Sequence, residues 1–327
     1  MPMRLTPEKL RRYAEKFVSQ QKRDLRLLAV YLTGSLLRGQ PFLGGAADVD
    51  LVLIYNGAPT TEREVAPLPG EAHLDIRRHD RSHYEPARHL RTEPFLGPTL
   101  FRAEALYDPQ HFLDFAQAAV RSRFRSPESA AARARALTQA AREAWFALDD
   151  DLTPAALEAY LEAVFQAANA PATLLGYTFS RRRVLLDFPP AAQHWGYPRL
   201  TGLLFQALGA PQATAEALKA ALPAWEAALT AAAGASPAPI ELASPRLPYY
   251  RRAVEAYLGS STPANALYPL LFTWTLAVQH AGEAHLSPWQ QFVEALGLAA
   301  GRQEALDAYL DALEEAVEAW ARQRGVG

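Results

Sequence analysis

The chain has 327 residues, of which 50% are hydrophobic and 21% are charged, and its formal net charge is -2. This length and composition predict a globular protein with two buried cores, and the small net charge excludes a general basic field that would attract nucleic acid or an anionic membrane. Since the sequence contains no cysteine, disulfides, thiolate metal sites and a cysteine nucleophile are excluded, and any metal must be bound by carboxylates or histidine.

No segment approaches the roughly 18 uninterrupted apolar residues that a membrane span requires. The opening segment MPMRLTPEKLRRYAEK is charged and amphipathic, and it lacks the apolar centre of a signal peptide. We therefore expect a cytoplasmic protein without a membrane partner.

The N-terminal part of the sequence predicts one helix followed by three strands. Residues 6–25 have apolar side chains at helical spacing, with Thr6 as the N-cap and Pro7 in the first turn. Strands are predicted for the apolar or alternating segments RLLAVYLTG, DVDLVLIYNG and EAHLDIRRHD, which begin at residues 26, 48 and 71.

From about residue 109 the apolar pattern is helical almost to the end, and proline or glycine separates most of the segments. Residues 234–248, GASPAPIELASPRLP, predict a long irregular connection. We expect an α/β domain at residues 1–108, with a short mixed sheet and helices, followed by an all-α helical-bundle domain at residues 109–327.

The first two strands carry a pattern with a chemical meaning. The first strand ends at Gly34-Ser35, where backbone amides and the serine hydroxyl can donate hydrogen bonds to phosphate oxygens. The second begins with Asp48 and Asp50, which alternation puts on one face, with Val49 turned into the core. Two close carboxylates repel each other unless a cation lies between them, and oxygen ligands favour Mg²⁺ or Mn²⁺.

A two-metal site usually needs a third acid, which bridges the ions or takes the proton from the attacking hydroxyl. Asp75, on the third predicted strand, is the first candidate, and Asp80 at the end of that strand is the reserve. Arg38 and Arg77 are candidates for neutralising phosphate charge, although arginines near strand ends or loops are more often solvated.

The segments TGSLLRG and ADVDLVLI together resemble the nucleotidyltransferase superfamily of DNA polymerase beta, whose members carry Gly-Ser, a short spacer and Asp-x-Asp or Asp-x-Glu between apolar neighbours. The resemblance covers residues 27–55 and extends less specifically to HLDI and RAEALYDPQHFL. A compact catalytic domain followed by a helical domain is similar to the antibiotic nucleotidyltransferases, such as the streptomycin/spectinomycin and kanamycin enzymes. Ala47 departs from the family, which often has Ser or Thr before the first aspartate.

The resemblance implies that Gly34, Ser35 and Arg38 bind the phosphates of ATP or another nucleoside triphosphate, and that Asp48, Asp50 and Asp75 are the catalytic residues and the Mg²⁺ or Mn²⁺ ligands. In some of these enzymes the base is a glutamate from elsewhere, even from a second subunit, which is compatible with a homodimer. The substitutes that this leaves are Glu104, Glu158 and Glu162.

The expected reaction is transfer of a nucleoside monophosphate, AMP from ATP, to a hydroxyl of a small molecule such as an aminoglycoside-like compound, with release of pyrophosphate. Two alternatives stay open. One is an antitoxin-type enzyme that adenylylates a protein, and the other is a non-catalytic nucleotide-binding module, against which the intact motif argues. A nucleic-acid partner is not expected, because the chain is not basic and contains no recognisable RNA-binding module.

Three further segments have competing interpretations. RRHDRSHYEPARH holds three histidines, but their spacing favours a solvated segment over a metal site. FSRRRVLLDF, residues 179–188, is either a phosphate contact or a helix end with solvated charges. The aromatic helix YPLLFTWTLAVQ is interpreted as core rather than as the wall of an acceptor pocket.

Overall fold

The computed structural model describes residues 5–149 and 151–327. Two compact units divide the chain. Unit 1 comprises the stretch that ends at Arg125 together with Pro245–Arg252, and unit 2 comprises Ser126–Ser244 and Ala253–Gly327. The predicted boundary after residue 108 lies inside the first stretch of unit 1, and the return of Pro245–Arg252 to this unit was not predicted.

Unit 1 contains a mixed sheet and helices, as the sequence predicts. The strands are β1 (Leu27–Thr33), β2 (Ala47–Tyr55), β3 (Arg63–Leu68), β4 (Ala72–Asp80) and β5 (Glu104–Tyr107). The helices are α1 (Pro7–Gln21), α2 (Leu96–Arg102) and α3 (Phe112–Arg121). Thr6 caps α1 by accepting a hydrogen bond from the backbone N–H of Lys9, with Pro7 in the first turn, as expected.

The sheet has the strand order β3-β4-β2-β1-β5. β1 runs antiparallel to β2 and β5, β4 runs parallel to β2, and β3 runs antiparallel to β4. In this register Asp50 lies between Thr33 on one side and Asp75 on the other. The strand segments that carry the predicted site are therefore direct neighbours.

Apolar cores cover both faces of the sheet, because strand side chains alternate between the faces. The first core joins the sheet to α1 and includes Leu10 and Leu51. The second includes Val52 and, from α3, Leu113. Asp50 precedes Val52 by two residues and thus belongs to the second face, at the beginning of β2.

The edge strands β3 and β5 were not predicted. β3 has the sequence REVAPL, in which Pro67 lacks a backbone donor and is tolerated at a sheet edge. β5 has only four residues. Neither is long enough to show a clear alternation, so both depend on pairing with β4 and β1 for their conformation.

Unit 2 is helical. Its complete helices are α4 (Pro127–Phe146), α5 (Pro154–Leu174), α6 (Val184–Trp195), α7 (Arg199–Ala207), α8 (Ala215–Ala233), α10 (Leu267–Val278), α11 (Leu286–Ala295) and α12 (Arg302–Gln323). α9 (Leu247–Leu258) is divided between the units after Arg252. The predicted fold class, a small mixed sheet with helices followed by a mostly helical region, is confirmed.

Three short helices, α2, α6 and α11, were not predicted. α6 contains Pro189 and Pro190, α2 contains Pro98, and α11 contains Pro288. Proline interrupts a helical pattern because it lacks a donor and restricts the preceding residue. Packing within the folded chain overrides that local signal.

α10 lies in the core of unit 2, since all of its residues are buried. The interpretation of its aromatic residues as core is confirmed for Tyr268, Phe272 and Trp274. No helix in the described part of the chain combines the length and the apolar character that crossing a membrane would require.

Candidate functional site

The site begins where β1 ends and β2 starts. Because the two strands are antiparallel, Thr33 pairs with Asp50, and the turn after β1 lies beside the first residues of β2. The hydroxyl of Ser35 donates a long hydrogen bond of 3.4 Å to Oδ1 of Asp48. Ser35 and Asp48 are both buried. The fold thus joins the two halves of the predicted motif.

Gly34 allows the closest approach in this site. Its φ is +79°, in the left-handed region, and a Cβ at this position would lie 1.8 Å from Oδ2 of Asp50. No other residue type fits, because a side chain here would be strained in the backbone and would displace the carboxylate. The backbone at Gly34 is therefore part of the cradle that holds Asp50.

The turn after Gly34 is formed by backbone hydrogen bonds to Ser35 and Leu36. The N–H groups of Arg38 and Gln40 both donate to the carbonyl of Ser35, over 3.1 and 3.3 Å. The residues that follow Gly34 thus form hydrogen-bonded turns rather than a regular helix. Arg38, predicted to assist phosphate binding, lies in this turn with a half-buried side chain.

Asp75 lies on β4 directly beside Asp50, as expected from the predicted strands. Both of its carboxylate oxygens accept hydrogen bonds from arginine. Arg63 Nε donates to Oδ1 over 2.9 Å and Arg63 Nη2 to Oδ2 over 2.8 Å, while Arg246 Nη1 donates to Oδ2 over 2.5 Å. A metal contact by Asp75 would have to compete with these bonds.

The two neighbouring carboxyls have opposite electrostatic environments. Burial, followed by the charges of Asp48 and Asp75, raises the pKa of Asp50 to about 8, although part of the residue stays exposed. Burial alone would also raise the pKa of Asp75, but hydrogen bonds from Arg63 and the charges of Arg246 and Arg63 hold it well below its ordinary value. Asp75 is thus ionised, whereas at Asp50 the charges of Arg77 and Arg246 do not offset burial and the neighbouring carboxylates.

Arg246 belongs to the segment Pro245–Arg252, which sequence reasoning had assigned to the helical domain. Its guanidinium also contacts the hydroxyl of Tyr250 over 3.2 Å, and the ring of Tyr249 packs edge-on against that of His73 at 5.3 Å between centroids. Arg252 forms a salt bridge with Glu71. Nothing in the local sequence indicates which strand these residues contact, so no pattern could have identified them.

The residues fit a divalent cation at Asp48 and Asp50. The donor set consists of carboxylate oxygens, Asp50 lies in a cradle that only glycine leaves open, and its raised pKa reflects burial and the nearby charges of Asp48 and Asp75. Within residues 5–149 and 151–327, no group of three or more acidic or histidine side chains is arranged to hold a metal. Mg²⁺ tolerates this, because it usually binds one or two carboxylates and completes its shell with water and substrate phosphates.

The reserve acids lie in other environments. Asp80 accepts a hydrogen bond from the backbone of Ser82, and its five-residue separation from Asp75 corresponds to about 17 Å along a strand. Glu104, on β5, is paired with Arg11. Glu158 and Glu162 lie on α5 of unit 2. Glu162 forms a salt bridge with Arg181, and Glu158 accepts a hydrogen bond from Gln279.

Residues of the histidine-rich and arginine-rich segments take part in packing and hydrogen bonding within their units. His79 Nδ1 lies 2.8 Å from the hydroxyl of Tyr84, which lies 3.0 Å from that of Tyr31. The arginine triplet precedes α6, as the helix-end interpretation predicts. However, Arg182 and Arg183 are buried rather than solvated, so that part of the interpretation was wrong.

No protein-family model matches the chain, and no curated protein matches it significantly. Its function is therefore inferred from its own residues and their geometry.

Proposed function

We propose that the chain is a divalent-metal-dependent nucleotidyltransferase, which transfers AMP from ATP to a hydroxyl of a small molecule such as an aminoglycoside-like compound and releases pyrophosphate. The observation that carries the proposal is the packing of Asp50 Oδ2 against Gly34, next to the contact between Ser35 and Asp48. A turn that can bind phosphate and a pair of carboxylates that can bind metal are the components that this chemistry requires.

In the proposed reaction Asp48 and Asp50 bind the cation, and Gly34, Ser35 and Arg38 contact the nucleotide phosphates. A bound Mg²⁺ or Mn²⁺ would neutralise phosphate oxygens and lower the pKa of the acceptor hydroxyl. The Ser35 hydroxyl can turn from Asp48 to a phosphate oxygen, because its 3.4 Å bond is long for an O–H···O contact and is easily exchanged.

Asp75 has two predicted roles, and they are not equally supported. A carboxyl with a strongly lowered pKa is a weak proton acceptor, so the general-base role has little support. Its role as a third metal ligand stays a prediction, since it requires exchange of a contact with Arg63 or Arg246. In the proposal Asp75 holds these two arginines next to Asp50.

The proposal also assigns the protein to the cytoplasm, where nucleoside triphosphates are maintained as substrates.

The test is transfer of label from α-labelled ATP, GTP, CTP or UTP to a panel of aminoglycosides and lincosamides, with and without Mg²⁺. We expect Mg²⁺-dependent labelling by the wild type and a loss of at least about 100-fold in Asp48→Asn/Asp50→Asn, because metal stabilisation of transition-state charge contributes several kcal/mol. Asp80→Asn is the matched control, since Asp80 accepts a hydrogen bond from the backbone of Ser82 and lies about 17 Å along the strand from Asp75.

Equal activity of the wild type and the double variant would refute the assigned site. Label that appears on protein instead of on the small molecules would support the protein-adenylylating alternative. Mg²⁺-dependent nucleotide binding without transfer to any acceptor would support a binding module.

A further inference from the structure

Three arginine side chains belong to the region around Asp75, and they differ in their partners. Arg63 and Arg246 both form salt bridges with the carboxylate of Asp75. Arg77 is exposed, and in the described part of the chain its guanidinium forms no hydrogen bond or salt bridge. Arg77 is thus the cation in this region that remains available to a ligand.

The position of Arg77 follows from the strand register. It comes two residues after Asp75 on β4, so both residues face the same side of the sheet, about 7 Å apart along the strand. Its register partner on β2 is Val52, two residues after Asp50. The charge of Arg77 lowers the pKa of both Asp50 and Asp75, which agrees with a location near the carboxylates.

Arg77 also lies opposite another arginine. β3 and β4 pair Arg63 directly with Arg77, and like charges opposite each other on antiparallel strands are destabilising. Asp75 neutralises Arg63. The neighbouring Arg78, on the other face, has its own carboxylate partner, Glu64, at 2.5 Å. An anion bound at Arg77 would give this arginine a direct salt-bridge partner, as Asp75 does for Arg63 and Glu64 does for Arg78.

We propose that Arg77 binds a phosphate group of the donor nucleotide, while Arg63 and Arg246 remain bound to Asp75. The inference rests on the proposed function, which identifies the anion as a nucleotide phosphate. A guanidinium suits this ligand because it donates two parallel hydrogen bonds to phosphate oxygens, and the exposure of Arg77 lets a substrate enter and leave. An arginine on a strand is also held in place better than one on a loop.

The test is calorimetric titration of the full-length protein with α,β-methylene-ATP, which binds without transfer, in the presence of Mg²⁺. We expect Arg77→Ala to bind this analogue about 10- to 100-fold more weakly than the wild type, because a charge-assisted hydrogen bond is lost. Arg77→Lys should lie between the two, since lysine keeps the charge but not the paired donors. Arg78→Ala is the matched control on the same strand, and it should bind like the wild type.

The inference is overturned if Arg77→Ala binds the analogue as tightly as the wild type, or if Arg78→Ala weakens binding equally. If the wild type transfers label but Arg77→Ala binds the analogue normally, the proposed function stands and Arg77 is not part of the phosphate site. Weakened binding without transfer to any acceptor would support Arg77 as a phosphate contact and count against the transferase. Circular dichroism of Arg77→Ala should match the wild type, because the side chain is exposed.

Discussion

Arg246 and Asp75 are separated by 171 positions in the chain and joined by a hydrogen bond of 2.5 Å. Both side chains are buried, with exposed fractions of 7% and 2%. Arg63, which binds the same carboxylate, has an exposed fraction of 22%. Arg63 is therefore more exposed to water than Arg246, and substitutions should separate the contributions of the two arginines to stability.

Arg246→Gln should destabilise unit 1 more than Arg63→Gln. Removing one partner of a buried ion pair costs about 3 kcal/mol, whereas a partly exposed arginine is partly replaced by water. Amide hydrogen exchange in β2 and β4 should measure this loss of stability in unit 1. Tryptophan fluorescence would not report it, because all six tryptophans lie in unit 2. An equal or larger loss in Arg63→Gln would contradict the assignment.

If the proposed transferase activity is present, Gly34→Ala should abolish most of it, whereas Gly39→Ala should retain it. Both glycines have positive φ, so both substitutions strain the backbone, but only a Cβ at Gly34 meets Asp50. Displacing a catalytic carboxylate by about 1 Å can cost 100-fold in rate. Steady-state kinetics of the two variants at saturating Mg²⁺ measures the difference. Similar losses in both would mean that backbone strain, and not the carboxylate, is responsible.

Gly44→Ala should destabilise unit 1 more than Gly45→Ala. The two glycines share a left-handed conformation, which costs an alanine about 1–2 kcal/mol. A Cβ at Gly44 would additionally lie 2.0 Å from the carbonyl oxygen of Arg252, while in the described part of the chain no atom lies within 4 Å of a Cβ at Gly45. Hydrogen exchange in β2 is the measurement. Equal destabilisation would show that Arg252 moves aside freely.

His79 should make folding stability depend on pH. Burial, with the charges of His83 and Arg77, lowers its pKa from 6.5 to about 4, and its ring contacts Tyr84. The unfolded chain therefore binds the proton more readily, so stability is full above pH 6.5 and falls by up to about 3 kcal/mol as the pH drops to 4.

Denaturant titrations at pH 7 and pH 5 followed by circular dichroism should show a smaller pH effect in His79→Gln than in the wild type. His89→Gln, which replaces an exposed histidine of the same segment, should keep the wild-type dependence. An unchanged pH effect in His79→Gln would rule out this origin.

The sequence predicted those parts of the site that depend on local patterns. Alternation was enough to put Asp48 and Asp50 on one face of a strand, and the order of the predicted strands put Asp75 on its neighbour. The sequence could not predict Arg246, because its contact with Asp75 depends on how a distant segment returns to the sheet. The pairing of Arg63 with Asp75 was also missed, since Pro67 hides β3 in the sequence.

Local signals failed where packing overrides them. Pro189 and Pro190 suggested a break, yet they lie within α6. Arg182 and Arg183 suggested a solvated helix end, but both are buried in unit 2. In each case the conformation depends on neighbours that are distant in sequence, and these are not visible in a short window of residues.

The composition of unit 1 from two separate stretches of chain also affects the order in which the protein can mature during translation. N-terminal domains usually fold while the rest of the chain is still being synthesised. Here the carboxylate of Asp75 has to wait for Arg246, so the nascent sheet lacks this partner until most of unit 2 has been made. Unit 1 is therefore complete only once Arg252 has been synthesised, and a premature stop before Pro245 would leave a sheet without its returning segment.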